Sequence, residues 1–212
     1  MKRYIASILV LSLAALAMPA RADADAPDVL VENTVQTVMT TLKQEKDRNK
    51  IQSLVDEKVL PLFDFTLSTR RAVGGAWKTA TAEQQKILVS EFRDLLVRVY
   101  ITKAFTNIGN RTVKFEPRKY ADGEDQVTVQ TRVITPGEAS VSVDYDLKKT
   151  PAGWRVVDLA VAGPRVALDI YRNQFQTPLQ QGGVDGVIKF LMEKNRAPDV
   201  RGTALVHKAD AK

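Results

Sequence analysis

The chain of 212 residues lacks cysteine and has a single histidine, His207. Without cysteine there can be no disulfide, no thiol nucleophile and no thiolate metal ligand. His207 lies in the polar C-terminal segment RGTALVHKADAK, outside every helical or strand pattern. These two shortages argue against serine–histidine–aspartate catalysis and against histidine metal sites. We therefore expect no metal and no cofactor.

Long apolar runs are absent after the first 18 residues. The run from Ile5 to Met18 follows Lys2 and Arg3 and precedes an Ala-x-Ala sequence that ends at Ala22. At roughly 14 residues, this run is shorter than the approximately 20 that span a bilayer, which disfavours a membrane anchor. A basic start, a short apolar run and small residues at its end are the parts of a secretory signal peptide. We predict cleavage after Ala22 and export of the mature chain.

Cleavage would reduce the 212 residues to 190 and the net charge from +6 to +3, because the removed segment has three basic residues and no acid. That length suits one domain of good size. We predict that residues 1–22 are the signal peptide, residues 23–196 a single domain and residues 197–212 a disordered polar tail. The remaining charge is ordinary and does not indicate a nucleic-acid-binding protein.

Helical periodicity dominates the first half of the chain. Apolar residues recur at three- and four-residue intervals in segments 26–49 and 49–60, and again after Asp64 up to a Gly-Gly pair that would end a helix. A capping box from Thr81 to Gln84 opens the longest predicted helix. Its apolar stripe contains Leu88, Phe92, Leu95, Leu96, Val99 and Tyr100.

The period changes from 3.6 to 2 in the second half. QVTVQTRV (126–133) and SVSVDYDL (140–147) alternate apolar and polar residues, as strands with one buried face do. WRVVDLAV (154–161) has no clean apolar face, so it is either buried on both sides or broken by a bulge. Segment 111–120 predicts an outer strand, since Pro117 cannot donate to a central ladder. Together the four segments predict an antiparallel meander.

Two further helices are predicted to close the chain, one from Pro164 and one from about Gly183. Helices followed by strands and then by helices indicate an α+β domain. The architecture we expect is a curved, about four-stranded antiparallel sheet with helices packed on one face, as in cystatin-like and nuclear-transport-factor-like domains. An apolar cavity would lie between the sheet and the helices.

The strand SVSVDYDL carries the most enzyme-like pair of residues, Asp144 and Asp146. Residues two apart on a strand share a face, so the two carboxylates could cooperate in acid–base chemistry. Two serines share that face, which favours a solvated surface instead. Asp158, in the strand without a clean apolar face, is harder to assign to solvent. An enzyme on this fold would use one of these carboxylates as a base, with Tyr145 or Tyr171 as the electrophile.

The segment VAGPRVALDIYRNQF predicts a helix that is apolar on two opposite sides. At 100° per residue, Leu168, Tyr171 and Phe175 fall on one side, and Val166 and Ile170 fall on the other. Such a helix is either sandwiched between two layers or borders an internal pocket. Its own sequence leaves both alternatives open.

Two long segments resemble the MlaC family, whose members are also called toluene-tolerance auxiliary proteins. Segment 156–194 has a strand with Val-Asp-x-x-Val, a short link, a Tyr-Arg-x-x-Phe helix and Gly-x-Asp-Gly. Segment 61–100 has Phe-Asp-Phe, Gly-x-Trp, Ala-Thr-x-Glu-Gln and Phe-x-x-Leu-Leu in that order. The resemblance covers nearly all of the mature chain. One departure is the sequence from Gly163 to Val166, Gly-Pro-Arg-Val, where members usually have Gly-Val-Ser-Leu.

The resemblance implies a periplasmic phospholipid carrier that is not an enzyme and acts as a monomer. Its ligand would be a glycerophospholipid with two or more acyl chains held in the apolar cavity. It would move lipid between an outer-membrane lipoprotein–porin complex and an inner-membrane ABC transporter with an MCE-domain subunit, and so act on outer-membrane lipid asymmetry. An enzyme that uses a cavity carboxylate and a ligand-free adaptor subunit are the alternatives, and the volume and polarity of the cavity would distinguish them.

Apolar and dispersed lining residues would suit such a carrier, since acyl chains need few polar contacts. The lipid-binding residues predicted on this basis are Trp77, Phe92, Leu95, Val99, Tyr100, Val129, Val143, Tyr145, Leu168, Tyr171 and Phe175. Arg172 has two possible roles: contact with a headgroup phosphate, or an ion pair with Asp169 three residues earlier on the helix.

Overall fold

The computed structural model describes residues 26–45, 47–101, 110–121 and 123–197. The predicted signal peptide lies outside the described residues, as does the predicted polar tail apart from Ala197. No helix within the described ranges combines the length and the apolar character needed to cross a bilayer.

Within the described residues, six helices form from the segments with helical periodicity. Their bounds are α1 Pro27–Gln44, α2 Arg48–Leu54, α3 Phe65–Val73, α4 Ala82–Leu96, α5 Val166–Tyr171 and α6 Arg172–Arg196. α5 is a single π-helical turn that runs directly into α6. Irregular turns extend three of the helices: Val55–Val59 and Leu60–Leu62 after α2, Gly74–Lys78 after α3, and Val97–Ile101 after α4.

Side chains at the helix starts explain two of these bounds. The predicted capping box is present, since the Thr81 hydroxyl accepts from the Gln84 N–H and the Gln84 side chain accepts from the Thr81 N–H. The Asp64 carboxylate accepts from the Leu67 N–H at 2.8 Å and so begins α3. Both contacts satisfy backbone donors that have no partner within the helix.

The four strands form the predicted meander, with neighbours in the order β1-β2-β3-β4 and every pair antiparallel. Their bounds are β1 Thr112–Phe115, β2 Gln126–Ile134, β3 Val141–Thr150 and β4 Gly153–Val161. β1 is an outer strand that ends before Pro117, as the missing N–H of proline requires. The predicted α+β fold with a curved antiparallel sheet is confirmed.

A bulge in β4 explains its irregular sequence pattern. Val156 is in register with Leu147, whereas the preceding residue of β3, Asp146, is in register with Asp158. Val157 is therefore an extra residue in the strand. The bulge shifts the alternation by one, so that Asp158 lies on the side of the sheet that carries Asp146. Val156, Val157 and Asp158 are all buried, so both alternatives that the sequence left open are true of this strand.

Apolar side chains divide between three buried clusters. One lies among α3, α4, α5 and α6 and reaches the sheet at Leu159 and Val161. A second joins α1, through Val31, to the inner residues of the sheet. A smaller cluster holds the end of α1 against α2 and the turns that follow it. Helices α3 to α6 therefore form one layer beside β4.

The first of the two closing helices starts later than the sequence predicts. Pro164 lies in a tight loop instead of the first helical turn, and its carbonyl accepts from the Val161 N–H at 3.3 Å. The loop reverses the chain through positive φ angles of 52° at Ala162 and 115° at Gly163, and Arg165 is still extended, with ψ 133°, so the helix begins only at Val166. The predicted break near Gly183 is present: α6 has non-helical backbone there, with φ 58° and ψ −143°.

Candidate functional site

A small cavity lies where four parts of the fold meet: the start of α3, the end of α4 with its following turn, the first turn of α5, and β4. Its volume is about 20 Å³, which is room for a single water molecule. The residues that line it are Phe63, Phe65, Ser68, Leu96, Tyr100, Asp158, Leu159, Val166 and Ala167. Most of these side chains are apolar, so the cavity is a candidate site for an apolar ligand.

Asp158 is the acidic residue at this cavity, and only 4 % of it is exposed. Oδ1 accepts from the backbone N–H groups of Leu159 and Ala167 at 2.8 Å, and Oδ2 accepts from that of Leu168 at 3.1 Å. Burial raises the pKa of Asp158, and these N–H groups, which favour the ionised form, offset only part of the rise. The carboxylate thereby caps the start of α5.

A second polar link joins the start of α5 to the sheet. Arg165, the residue before α5, donates from Nε and Nη2 to the carboxylate of Asp146 on β3. Thr128 on β2 donates to Oδ1 of the same carboxylate at 2.7 Å. Asp146 and Asp158 are in register on neighbouring strands. The positive charge of the Arg165 guanidinium therefore partly offsets the negative charges of both carboxylates. Its hydrogen bonds with Asp146 raise the pKa of Arg165.

Aromatic residues fill the space between α4 and the final helices. The rings of Phe92 and Tyr171 meet edge to face, with centroids 5.0 Å apart. Phe175 lies 5.6 Å from Phe92 and 5.9 Å from Tyr171, measured between ring centroids. The Tyr171 and Tyr100 hydroxyls hydrogen-bond to each other, and burial raises the pKa of both. In this structure the side of α5 and α6 that carries Tyr171 and Phe175 packs against protein.

The predicted lipid-binding residues are divided between two clusters. Those of the helical cluster are Trp77, Phe92, Leu95, Val99, Tyr100, Tyr171 and Phe175. Val129 and Tyr145 belong to the cluster between α1 and the sheet, while Val143 and Leu168 are half-buried. Among them only Tyr100 borders the cavity found within the described residues. Contact of the others with a lipid stays a prediction.

The acid–tyrosine pair of the enzyme hypothesis is only partly assembled. Tyr145 is in register with Leu159, so it lies on the opposite side of the sheet from Asp146 and Asp158. Burial raises the pKa of Tyr145 to about 12, which keeps its hydroxyl protonated at neutral pH. Burial is also the main cause of the raised pKa of Tyr171, the other candidate electrophile.

The prediction of an ion pair between Asp169 and Arg172 is wrong. Arg172 Nε donates to the backbone carbonyl of Arg71 at 3.0 Å, in the last turn of α3, where carbonyls lack partners within the helix. Asp169 Oδ2 accepts from the backbone N–H of Arg165 at 2.7 Å. The two side chains thus serve two different helix ends. Arg172 remains exposed, and its contact with a headgroup stays a prediction.

Sequence patterns miss several cavity residues because tertiary contacts bring them there. Phe63 lies between helices and reaches the cavity through a one-residue parallel bridge with Val156. The Phe-Asp-Phe motif is the available signal: Asp64 caps α3, and the rings of Phe63 and Phe65 stack with centroids 5.5 Å apart. The motif thus both begins α3 and places two stacked rings at the cavity.

Comparison with known proteins agrees with this geometry. The family model for "MlaC protein" matches residues 32–193. The intermembrane phospholipid transport system binding protein MlaC of Haemophilus influenzae is 22% identical over 180 residues, which cover 81% of this chain and 83% of that protein. A solved structure of a phospholipid-binding protein from Ralstonia solanacearum, in complex with a phospholipid, is 35% identical with a TM-score of 0.72, and the match covers 79% of this chain and 96% of that one. The chain therefore belongs to the MlaC family, as its motifs predict.

Proposed function

We propose that the protein is a periplasmic phospholipid carrier. The observation that carries the proposal is its similarity to the Ralstonia solanacearum structure, which is in complex with a phospholipid and is matched over 96% of its length. The relative from Haemophilus influenzae is named as a binding protein of an intermembrane phospholipid transport system. The signal peptide predicted at residues 1–22 would place the mature chain between the two membranes.

The acyl chains would lie between the sheet and helices α3 to α6, beside the cavity. Each buried methylene contributes about 0.8 kcal/mol, so an apolar space can hold a two-chain lipid without polar contacts along the chains. The predicted lining residues in the helical cluster, among them Phe92, Tyr171 and Phe175, would then exchange contacts with one another for contacts with lipid. Arg172, the first residue of α6, is exposed beside the end of α3 and would contact the headgroup phosphate.

A two-chain phospholipid is larger than the cavity, so the cavity must widen to hold it. The cavity measures about 20 Å³, whereas pockets for drug-sized ligands measure about 300–1,000 Å³. Uptake must therefore separate the sheet from at least one of the elements that line the cavity. The lipid would be received from one membrane complex and delivered to the other. We propose an outer-membrane lipoprotein–porin complex and an inner-membrane ABC transporter with an MCE-domain subunit as these partners.

Native mass spectrometry tests lipid binding directly. Protein purified without detergent, then incubated with phosphatidylethanolamine–phosphatidylglycerol vesicles and re-isolated, should gain the mass of one or more phospholipids. A soluble protein of similar size, treated in the same way, is the control for carry-over of vesicle lipid. A chain that stays lipid-free in this assay and in the presence of the proposed membrane complexes would contradict the carrier function.

One observation favours a second function, that of a ligand-free adaptor. The apolar clusters of the described residues are closely filled, with Phe92, Phe175 and Leu191 fully buried, as a subunit without a ligand would require. The vesicle experiment separates the two functions, because an adaptor would bind the membrane complexes without acquiring lipid.

The enzyme alternative rests on Asp158, which is buried at the cavity with a raised pKa. Its two oxygens, however, already accept three backbone hydrogen bonds, two from the first turn of α5 and one from Leu159 on β4. These hydrogen bonds occupy three of the about four acceptor positions of the carboxylate and hold it against the first turn of α5. We therefore assign Asp158 a structural role and propose that the protein is not an enzyme.

A further inference from the structure

We propose that Asp158 and Arg165 form a polar clasp that holds α5 against the sheet, and that release of this clasp lets the cavity widen for a phospholipid. The polar clasp consists of the contacts of Asp158 with the first turn of α5 and the contact of Arg165 with Asp146. The proposal rests on the carrier function and adds positioning residues for lipid uptake.

The clasp acts on a wall of the cavity. Val166 and Ala167, in the first turn of α5, form that wall, and Asp158 and Leu159 on β4 lie opposite to them. The N–H groups that Asp158 binds belong to Ala167 itself and to the next residue, Leu168. Any movement of this turn away from β4 must therefore break these hydrogen bonds.

The other wall is attached to β4 in a different way. The backbone N–H of Asp64 donates to the carbonyl of Val156 at 2.9 Å, and the Ser68 hydroxyl donates to the carbonyl of Val157 at 2.7 Å. Phe63 extends this attachment by pairing with Val156. The start of α3 is thus joined to the main chain of β4, whereas the first turn of α5 is joined to a side chain. From Val166 onwards α5 can therefore move without breaking main-chain contacts with β4, whereas Pro164 and Arg165 stay attached to the strand through Val161 and Ala160.

The neighbouring backbone also favours movement of α5. Its single π-helical turn has longer hydrogen-bonded rings than an α-helix, and such turns occur frequently at functional sites. The loop before it contains two positive φ angles, at Ala162 and Gly163. The non-helical backbone at Gly182 and Gly183 interrupts α6 further along. Segment 166–181 can therefore tilt between two points where the helical backbone is already broken.

Water would limit the energetic penalty of opening. Burial of Asp158 disfavours its charge, which is why its pKa is raised. When α5 moves away, water would reach the carboxylate and the freed N–H groups of Ala167 and Leu168 and replace the lost hydrogen bonds. The same applies to Arg165, whose side chain is already 40% exposed. A polar clasp is thus easier to open and close than an apolar contact of the same size.

The substitution Asp158→Asn tests the clasp with little change in shape. The amide keeps one acceptor oxygen but presents an NH₂ group where the carboxylate accepts a second set of hydrogen bonds. Asp144→Asn is the matched control: Asp144 is a half-buried carboxylate on β3, and no described residue hydrogen-bonds to its side chain. Rates of fluorescent phospholipid uptake from vesicles, and of release to acceptor vesicles, would be measured for both variants and the wild type.

Uptake should be about tenfold faster in Asp158→Asn, which is the effect expected from losing a hydrogen bond to a charged group, while release from the widened, lipid-bound state, in which the clasp is already open, should change little. The amount of lipid bound at saturation should stay the same. Arg165→Met, which removes the link to Asp146, should also accelerate uptake, and Arg165→Lys should restore it partly. Uptake rates for Asp158→Asn and Arg165→Met equal to those of Asp144→Asn would overturn the clasp as the control point.

Hydrogen exchange adds a measurement that needs no lipid. In Asp158→Asn the amides of Ala167 and Leu168 should exchange faster, while those of Val187 and Leu191 in α6 stay unchanged. Faster exchange without faster lipid transfer would mean that the clasp holds α5 but does not control the cavity. If the wild type takes up no lipid at all, the carrier function itself fails and the clasp has no role in transport. Unchanged exchange at Ala167 and Leu168 would contradict the clasp directly.

Discussion

Asp158 lies in the middle of β4 and is nevertheless buried, because Val157 is an extra residue in the strand and α5 covers the site. In solvent such a carboxylate would remain ionised at neutral pH at no cost. Here three backbone N–H groups stand in for water. They replace water incompletely, so the pKa is raised. This single residue therefore caps the start of α5 and places a carboxylate at the cavity.

The raised pKa makes stability depend on pH with a definite sign. In the unfolded chain Asp158 titrates near its ordinary pKa of 3.8, below the pKa in the folded protein. As pH rises above 3.8, the unfolded state loses its proton first and is favoured. The stability contributed by Asp158 is therefore full below 3.8 and is lost as pH rises through the folded pKa.

Urea denaturation between pH 3 and pH 7 checks this dependence. The free energy of unfolding of the wild type, minus that of Asp158→Asn, should fall as pH rises from about 4 and then become constant. A difference that increases with pH would contradict the burial of Asp158.

Phe175 tests the packing of the helical cluster. Its side chain is fully buried and contacts the rings of Phe92, Tyr171 and Phe190. Phe175→Ala should lower the free energy of unfolding by about 3–5 kcal/mol, because it removes apolar contacts and leaves a cavity. Val141→Ala, at an apolar residue that is 40% exposed, should cost much less in the same denaturant titration. Similar losses at both positions would mean that Phe175 is not part of a packed core.

Among the elements, α6 depends most on glycine. The non-helical backbone at Gly182 and Gly183 lets the chain change direction within the helix. Gly186 then passes the preceding segment so closely that a Cβ atom there would lie 2.3 Å from the carbonyl oxygen of Pro178. The final helical segment can pack back against α4 because its approach to Pro178 has no side chain in the way.

Gly186→Ala should therefore destabilise the protein, although an alanine normally favours a helix over glycine. We expect a loss of about 1–3 kcal/mol in the free energy of unfolding, as for other overpacked positions. Gly182→Ala is the matched control, since its φ is −148° and no atom lies within 4 Å of the added Cβ. Thermal denaturation of the two variants should rank Gly186→Ala well below Gly182→Ala, and the reverse order would contradict the close approach.

The capping box of α4 offers a test at the start of an element. Thr81→Ala removes the hydroxyl that accepts from the Gln84 N–H and should lower the free energy of unfolding by about 0.5–2 kcal/mol. Ser90→Ala, at an exposed residue within the same helix, should leave stability unchanged or slightly increased, because alanine has the higher helix propensity. Chemical denaturation measures both. Equal effects of the two substitutions on stability would mean that the cap does not stabilise the start of α4.

At the scale of the whole molecule, the layers are closed around a cavity of about 20 Å³, and the proposed function requires them to open. A phospholipid that binds the folded chain alone must stabilise it, by about 2.7 kcal/mol when the free lipid is 100 times its Kd. Protein loaded from vesicles should thus melt at a higher temperature than protein treated with a single-chain detergent. Equal melting temperatures would favour the ligand-free adaptor.

Most of the fold follows from local patterns. The capping box at Thr81, the alternation in β2 and β3, and the position of Pro117 each depend on contacts within a few residues or between adjacent strands. Such short-range effects act the same way in any context, so the helices, the meander and the α+β class are predictable. The start of α5 is not, because the cap that begins it comes from Asp158 on another element.

The candidate site was predictable only in part. The resemblance of segments 61–100 and 156–194 to the MlaC family predicts the family that the comparison shows. The individual lining residues, by contrast, cannot be separated from core residues by their sequence, since both are apolar and both are buried. Only Tyr100 of the predicted set borders the cavity within the described chain. Phe63 and Ala167 border it because folding brings a loop and a helix turn to the same strand.

The sequence by itself determined the order and type of the elements, the strand meander and the family, because these depend on periodicity, turn chemistry and motif order along the chain. Only the tertiary structure decided the register shift at Val157, the burial of Asp158 and the late start of α5. Those features depend on which groups from distant segments replace water around one carboxylate. That replacement exists only once the sheet and the helices are packed together.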